Sequence, residues 1–148
     1  MGHFTSGVTI VTTADEGRRY GMTVASFASL SLHPPLILVC IGRRSEIHDV
    51  IPRAGHFGVS ILESSQHELS TRFSIAVEDR FDGVSFHTGP LGDPLIDGAV
   101  VNLDCRLHSV ADGGDHSIFI GEVMSAEVRE SRPLVYFRSG YRQLDSES

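Results

Sequence analysis

Residues 21–32 read Gly-Met-Thr-Val-Ala-Ser-Phe-Ala-Ser-Leu-Ser-Leu, with Pro34 and Pro35 close behind them. The stretch is too rich in Val, Phe and Leu for a loop, and too rich in Thr, Ser and Ala for an ordinary core strand. From Ala28 onward it alternates. Leu30 and Leu32 fall on one side and Ser29 and Ser31 on the other, the period-two pattern of a strand with one buried face. The opposite face is small and hydroxyl-bearing. Such a face lets a flat ligand approach the backbone while donors and acceptors point at it. It is also what a half-buried strand shows when its Ser and Thr residues merely face water.

On the N-terminal side, residues 7–13 form a β-branched run suited to a pleated sheet. The charged residues 14–19, with Gly17 among them, suit a hairpin returning into a strand over 20–31. On the C-terminal side, His33-Pro34-Pro35 stops that strand, because neither proline can donate to a ladder. Residues 36–41, an unbroken apolar run, read as a strand buried on both faces. Residues 46–51 carry apolar side chains at helical spacing, with Ser45 as N-cap and Pro52, Ala54 and Gly55 as the stop.

A strand is expected over 56–62, and Ser65 with Glu68 forms a capping-box pattern opening a helix to about Phe73. Residues 74–83 read as a charged connection, 84–87 as a short strand, and 88–98, with Gly89, Pro90, Gly92 and Pro94, as a surface loop. Two long strands over 99–110 and 116–128 should flank a turn at 111–115, with a last strand over 134–137 and a polar tail from Gly140. Mostly strand, with two short helices and several hairpins, the chain reads as mainly β. An antiparallel barrel fits this better than a βαβ sheet. The sequence has no G-x-G-x-x-G, so a nucleotide here would not use the Rossmann arrangement.

The length of 148 residues suits one domain over 1–148, and 41% hydrophobic with 21% charged residues is a soluble globular composition. A formal charge of -7 gives no global field for nucleic acid or an anionic membrane. All 12 basic residues are Arg, which excludes a Schiff-base or Walker lysine. The apolar run 36–41 is far short of the roughly 20 residues that span a bilayer. No signal peptide is expected, because Met1 leads directly into patterned sequence. Cys40 and Cys105 lie in apolar runs without C-x-x-C spacing and read as buried reduced thiols of a cytoplasmic protein, with a disulfide between them left open.

Arg43-Arg44-Ser45 at a helix start reads either as an anion site or as a capped surface helix. The eight histidines are scattered without ligand spacing, so no metal is expected. Among them, His116 stands where a glycine turn becomes a long strand, a place from which a side chain is aimed into a cleft.

The whole order of segments resembles the short-chain flavin reductases of the FMN-binding split-barrel class, the reductase components of two-component flavin-dependent monooxygenases. The matching residues are Gly2 to Thr13, Gly21 to Leu32 with Pro34-Pro35, Arg44-Ser45, Phe57 to Leu62, Arg72-Phe73, Gly114-Asp115-His116, Gly121-Glu122-Val123 and Pro133 to Tyr136. The resemblance implies an antiparallel, Greek-key split barrel, a homodimer, holding FMN or FAD and using NADH or NADPH as co-substrate. It implies that Thr23, Val24, Ala25, Ser26 and Ser29 line the isoalloxazine and ribityl part, and that Arg44 and Ser45 take the phosphate. Arg72 and Phe73 would close the site from the second helix, Tyr141 matches an aromatic near the family's C-terminal end, and His116 would lie on the nicotinamide side. The implied reaction is hydride transfer from reduced nicotinamide to flavin, with reduced flavin passed to a partner monooxygenase. Two other readings compete with it: a non-catalytic flavin-binding module, and a split-barrel oxidoreductase whose tightly held flavin acts on another substrate.

Overall fold

The computed structural model describes residues 2–145. Its elements run β1 (Ser6–Gly7), β2 (Thr9–Asp15), β3 (Arg18–Val24), β4 (Ala28–Leu32), β5 (Pro35–Gly42), α1 (Glu46–Ala54), β6 (His56–Ile61) and α2 (His67–Arg72). They continue with β7 (Phe86–Thr88), β8 (Pro94–Ile96), β9 (Val101–Gly113), β10 (His116–Val128), β11 (Val135–Phe137) and β12 (Gly140–Arg142). Among the described residues no helix is long and apolar enough to cross a membrane.

The decisive stretch is two strands, not the single one expected over 20–31. Seven strands pair antiparallel in the order β3-β2-β6-β9-β10-β5-β4, so β3 and β4, consecutive in the chain, hold the two opposite edges. Laid flat, those edges would stand about 29 Å apart at ordinary strand spacing. Residues 25–27 are all that joins them, and four Cα steps reach about 14 Å at most. The sheet therefore has to curl until its edges meet, which makes it the split barrel. Ser26 fastens the seam: its Oγ donates to the Cys40 carbonyl at 3.0 Å and accepts from the Cys40 N–H at 3.1 Å.

Burial along the strands corrects two further expectations. β5 is not buried on both faces; Ile37, Val39 and Ile41 enter the core while Leu36, Leu38 and Cys40 are half-buried on the other side. The strand buried on both faces is β2, with Val11 inside the barrel and Val8 and Ile10 just before and within it facing a second cluster. Its threonines are tolerated there because each hydroxyl has an acceptor: Thr9 donates to Val24 O at 2.7 Å, Thr12 to Pro94 O at 2.6 Å and Thr13 to His56 O at 2.8 Å. In β4 the expected buried leucines are exposed, Leu30 by 48% and Leu32 by 82%, because β4 is an edge strand, kinked by a register shift between Ser29 and Ser31, with no layer over it among the described residues.

α1 plugs one end of the barrel with Ile47, Val50 and Ile51. It runs on to Ala54, with Pro52 inside its last turn, and stops at Gly55, whose left-handed φ of 83° lets its N–H bond Ile51 O at 2.8 Å. The Ser65–Glu68 capping box does not form: the Ser65 hydroxyl and N–H both go to Glu63, and α2 starts after Gln66. Those bonds, with the Ser64 hydroxyl, hold the Glu63 carboxyl down to about 2. The expected surface loop 88–98 contains β8, whose three residues are buried, Ile96 within the second cluster, and the expected polar tail contains β12, paired with β11.

Beneath β8 lie two fully buried carboxyls, Asp93 and Asp104, in contact with each other. His56 Nδ1 meets Asp93 Oδ1 at 2.7 Å and the Leu91 N–H donates to Asp104 Oδ2 at 2.7 Å. The two remaining oxygens, Asp93 Oδ2 and Asp104 Oδ1, have no other partner. Burial first, then Asp104, pushes Asp93 up to about 9, against the Thr13 hydroxyl and the Ala14 amide. One proton on Asp93 Oδ2, donated to Asp104 Oδ1, satisfies all four oxygens. Neighbouring Cys105 is pushed up to about 12, by burial and then by the Asp104 and Asp93 charges, which keeps it an unreactive thiol. Both cysteines are free, Cys105 buried as expected and Cys40 only half-buried.

Candidate functional site

A cleft of about 740 Å³ opens between β3, the start of α1 and the segment 73–81. The third wall is the stretch read from sequence as a mere charged connection. Two arginines give it shape: Arg72 donates from Nε to Arg80 O at 2.6 Å and from Nη2 to Asp79 O at 2.9 Å, and Arg80 donates from Nη1 to Gly21 O at 2.7 Å. Phe73 and Phe81 follow those arginines and meet edge to face at 5.0 Å. The doublet Arg-Phe therefore occurs twice, at 72–73 and 80–81, and builds one wall. That repetition marks the segment in the sequence.

The opposite wall is set by the turn after β5. Ser45 N–H bonds Gly42 O at 3.0 Å, closing a turn with Arg43 and Arg44 at its tip. Arg44 and Ser45 line the cleft. Ser45 stands at the N-cap position of α1 but makes no side-chain cap bond, so its hydroxyl is not spent on the helix. The cleft has four arginines. Arg18 pairs with Glu46 at 2.8 Å, Arg19 lies over the Phe86 ring at 5.0 Å and Arg80 is tied to Gly21. Arg44 has no hydrogen-bond, ion-pair or ring partner among the described residues. An unpaired guanidinium beside an uncommitted hydroxyl fits a phosphate.

Arg43, read with them as part of the anion site, does not line the cleft; its side chain turns away to the β9–β10 hairpin. His116 sits opposite Gly42 in the register of β10 against β5. A Cβ placed on Gly42 would lie 3.5 Å from Ser45 Oγ and 3.8 Å from His116 Nε2, so hydroxyl and imidazole face one spot beside Gly42. Asp115 and His116 touch, since Asp115 belongs to the turn rather than to β10. Its Oδ1 accepts from His116 Nδ1 at 2.8 Å, and this bond holds the Asp115 carboxyl below its usual range. The bond leaves Nε2 as the nitrogen that faces the Gly42 spot.

The other implied residues divide. Thr23 lines the cleft, but its hydroxyl donates to Ser70 O at 2.6 Å and so ties β3 to α2. Val24 faces the barrel core at 5% exposure, and Ser26 is the seam bond described above. Ala25 and Ser29 are exposed beside that seam. The Phe73 ring is fully buried, so it supports the cleft from behind. Tyr141 lies elsewhere, bonded to Ser70 Oγ at 2.8 Å beside a separate cavity of about 450 Å³ with His67 and Arg142.

Comparison with known proteins supplies the family. The model of the flavin reductase like domain matches residues 1–145. The reductase subunit HsaB of a flavin-dependent monooxygenase from Rhodococcus jostii is 42% identical over 98% of this chain and 75% of that protein. An NADH-dependent FAD reductase from Streptomyces globisporus is 40% identical over 95% of this chain and 79% of its own. Among solved structures, the NADH:FAD oxidoreductase SgcE6 of Streptomyces globisporus C-1027, in complex with NAD and FAD fragments, superposes with a TM-score of 0.96 at 37% identity, covering 99% of this chain and 90% of that one. With the domain model matched along almost the whole chain and the barrel reproduced, the chain belongs to the flavin reductase-like family.

Proposed function

We infer that this protein is an NAD(P)H-dependent flavin reductase that passes a hydride from reduced nicotinamide to FMN or FAD and supplies reduced flavin to a partner monooxygenase. The observation that supports the reading is the pair at Gly42, where the Ser45 hydroxyl and His116 Nε2 face one spot, with Ser45 also lining the cleft beside Arg44, which has no partner among the described residues. Its relatives are named as reductase subunits of flavin-dependent monooxygenases and as an NADH-dependent FAD reductase.

When bound, the flavin supplies a hydride acceptor at its ring N5. The protein contributes placement. Arg44 and Ser45 hold the phosphate with charge-assisted bonds, the seam around Ala25 and Ser29 offers small side chains to the ring, and His116 Nε2 bonds the carboxamide of the nicotinamide. Holding two rings at near-attack distance contributes up to roughly 7–11 kcal/mol in favourable cases, far more than a single acid or base is asked to supply here.

His116→Ala is expected to raise KM for NADH, or slow hydride transfer, by about ten- to a hundredfold, since a hydrogen bond to a charged group contributes up to about 3 kcal/mol and each 1.4 kcal/mol is tenfold. Flavin affinity should stay within about twofold. Steady-state kinetics with NADH and flavin titrated separately read both; unchanged NADH kinetics, or a loss confined to flavin affinity, would remove His116 from the site.

The same reading includes a homodimer. Its support is the uncovered edge, Leu30 and Leu32 on β4, together with exposed Met124 and Val128 on β10, apolar area that a two-fold partner would bury. Light scattering should give about twice the 16.1 kDa chain mass, and a monomer with full turnover contradicts it. The free Cys40 and Cys105 suit the cytoplasm, where the reading places the protein.

A further inference from the structure

We propose that Arg43 is a positioning residue for the nicotinamide side of the reaction, bracing the turn that carries His116 from the loop that carries the phosphate ligands. The proposal rests on the His116 reading above and adds to it the group that fixes the imidazole. Three ties leave this one residue. The Arg43 N–H donates to Asp115 O at 2.9 Å, Nε donates to Gly114 O at 2.7 Å, and Nη2 is paired with the Asp112 carboxylate. Between them they reach three of the four residues of the tip Asp112-Gly113-Gly114-Asp115.

Within the hairpin the β9–β10 ladder closes at Gly113 and His116, which leaves Gly114, at φ 80°, and Asp115 as the two turn residues, and these are the two whose carbonyls Arg43 takes. Asp115, whose carboxylate orients His116 through Nδ1, is fixed only as well as this turn is. The backbone ladder ends at His116 opposite Gly42, so beyond that point Arg43 takes over the pinning. Arg43 and Arg44, adjacent at the tip of one turn, diverge: Arg44 enters the cleft while Arg43 crosses to the hairpin. Phosphate ligand and imidazole are thereby held in register by neighbouring residues.

The test is a mutant cycle on the full chain with added FAD. Arg43→Gln keeps most of the stem and loses the charge and the fork. It is expected to raise KM for NADH about tenfold, the order of one charge-assisted bond, with kcat less affected and the FAD dissociation constant within twofold. In a His116→Ala background the same substitution should add less than twofold, because Arg43 acts through His116. Arg43→Lys should recover part of the loss. Asp112→Asn, at a side chain 80% exposed, should give a smaller shift in the same direction and carries the comparison if Arg43→Gln melts early. Two results overturn the proposal while leaving His116 in place: a full additional loss in the His116→Ala background, or a loss of FAD affinity in Arg43→Gln. An Arg43→Gln defect beside a silent His116→Ala would overturn both readings together.

Discussion

Replacing Arg44 and Ser45 together by alanine is expected to weaken flavin binding by about a hundredfold or more while leaving the melting temperature nearly unchanged. Each charge-assisted bond to a phosphate contributes about 1.5–3 kcal/mol, and two are lost. Loss of an ordinary helix cap costs about 1 kcal/mol, and here even that is not at stake, because Ser45 makes no cap bond. Arg44 has no protein partner among the described residues whose loss would be felt in the fold. Fluorescence quenching of FAD and a thermal melt on the same variant separate the two effects. Affinity within twofold of the wild type would return this turn to a purely structural role.

The second large effect concerns stability and pH. Asp93 keeps its proton to about 9 in the folded chain, whereas an unfolded aspartate loses it near the ordinary value of 3.8. The native state thus binds the extra proton between those limits. Its contribution is whole below pH 3.8 and is lost as pH rises toward 9, at up to about 1.4 kcal/mol per pH unit. Asp93→Asn keeps the same bonds without a titrating proton: its carbonyl accepts from His56 and its amide donates to Asp104. Urea unfolding at pH 5 and pH 8 should show the wild type losing more stability than Asp93→Asn over that interval. His87, raised by its bonds to Glu127 and Asp97, weakens with rising pH in both proteins and cancels in the difference; Glu63, held down to about 2, acts only in acid. Parallel pH slopes for the two proteins would show that Asp93 is ionised in the native state.

Local rules carried most of the element order. The β-branched run before Asp15 and the His33-Pro34-Pro35 stop lie where the sequence puts them, because each is decided by the residues present, whereas the turn expected over 111–115 tightens to Gly114 and Asp115 as β9 runs on to Gly113. Failures came where a distant partner decides. The break after Val24 follows from barrel closure, which no local pattern announces. Leu30 and Leu32 alternate like buried residues, yet nothing among the described residues covers them. The places of Arg44 and Ser45 at a helix start and of His116 after a glycine turn were legible, and the fold brings Ser45 and His116 to either side of Gly42. Arg43 was misread since only the fold brings Asp112 and Gly114 to its guanidinium. Thr23 and Ser26 have the right chemistry for a ligand, but Ser70 and Cys40 engage them first.

The central claim is that the cleft brings reduced nicotinamide to a freely exchanging flavin. The most direct measurement is anaerobic mixing of the purified protein with NADH or NADPH and a several-fold molar excess of FAD or FMN, following nicotinamide and flavin absorbance together. The account predicts that nicotinamide is oxidised and flavin bleached in equal amounts, well beyond one equivalent per chain, with little oxidation when free flavin is withheld. Folded protein that binds flavin yet consumes neither nicotinamide, or that stops after one equivalent with free flavin left oxidised, would contradict it.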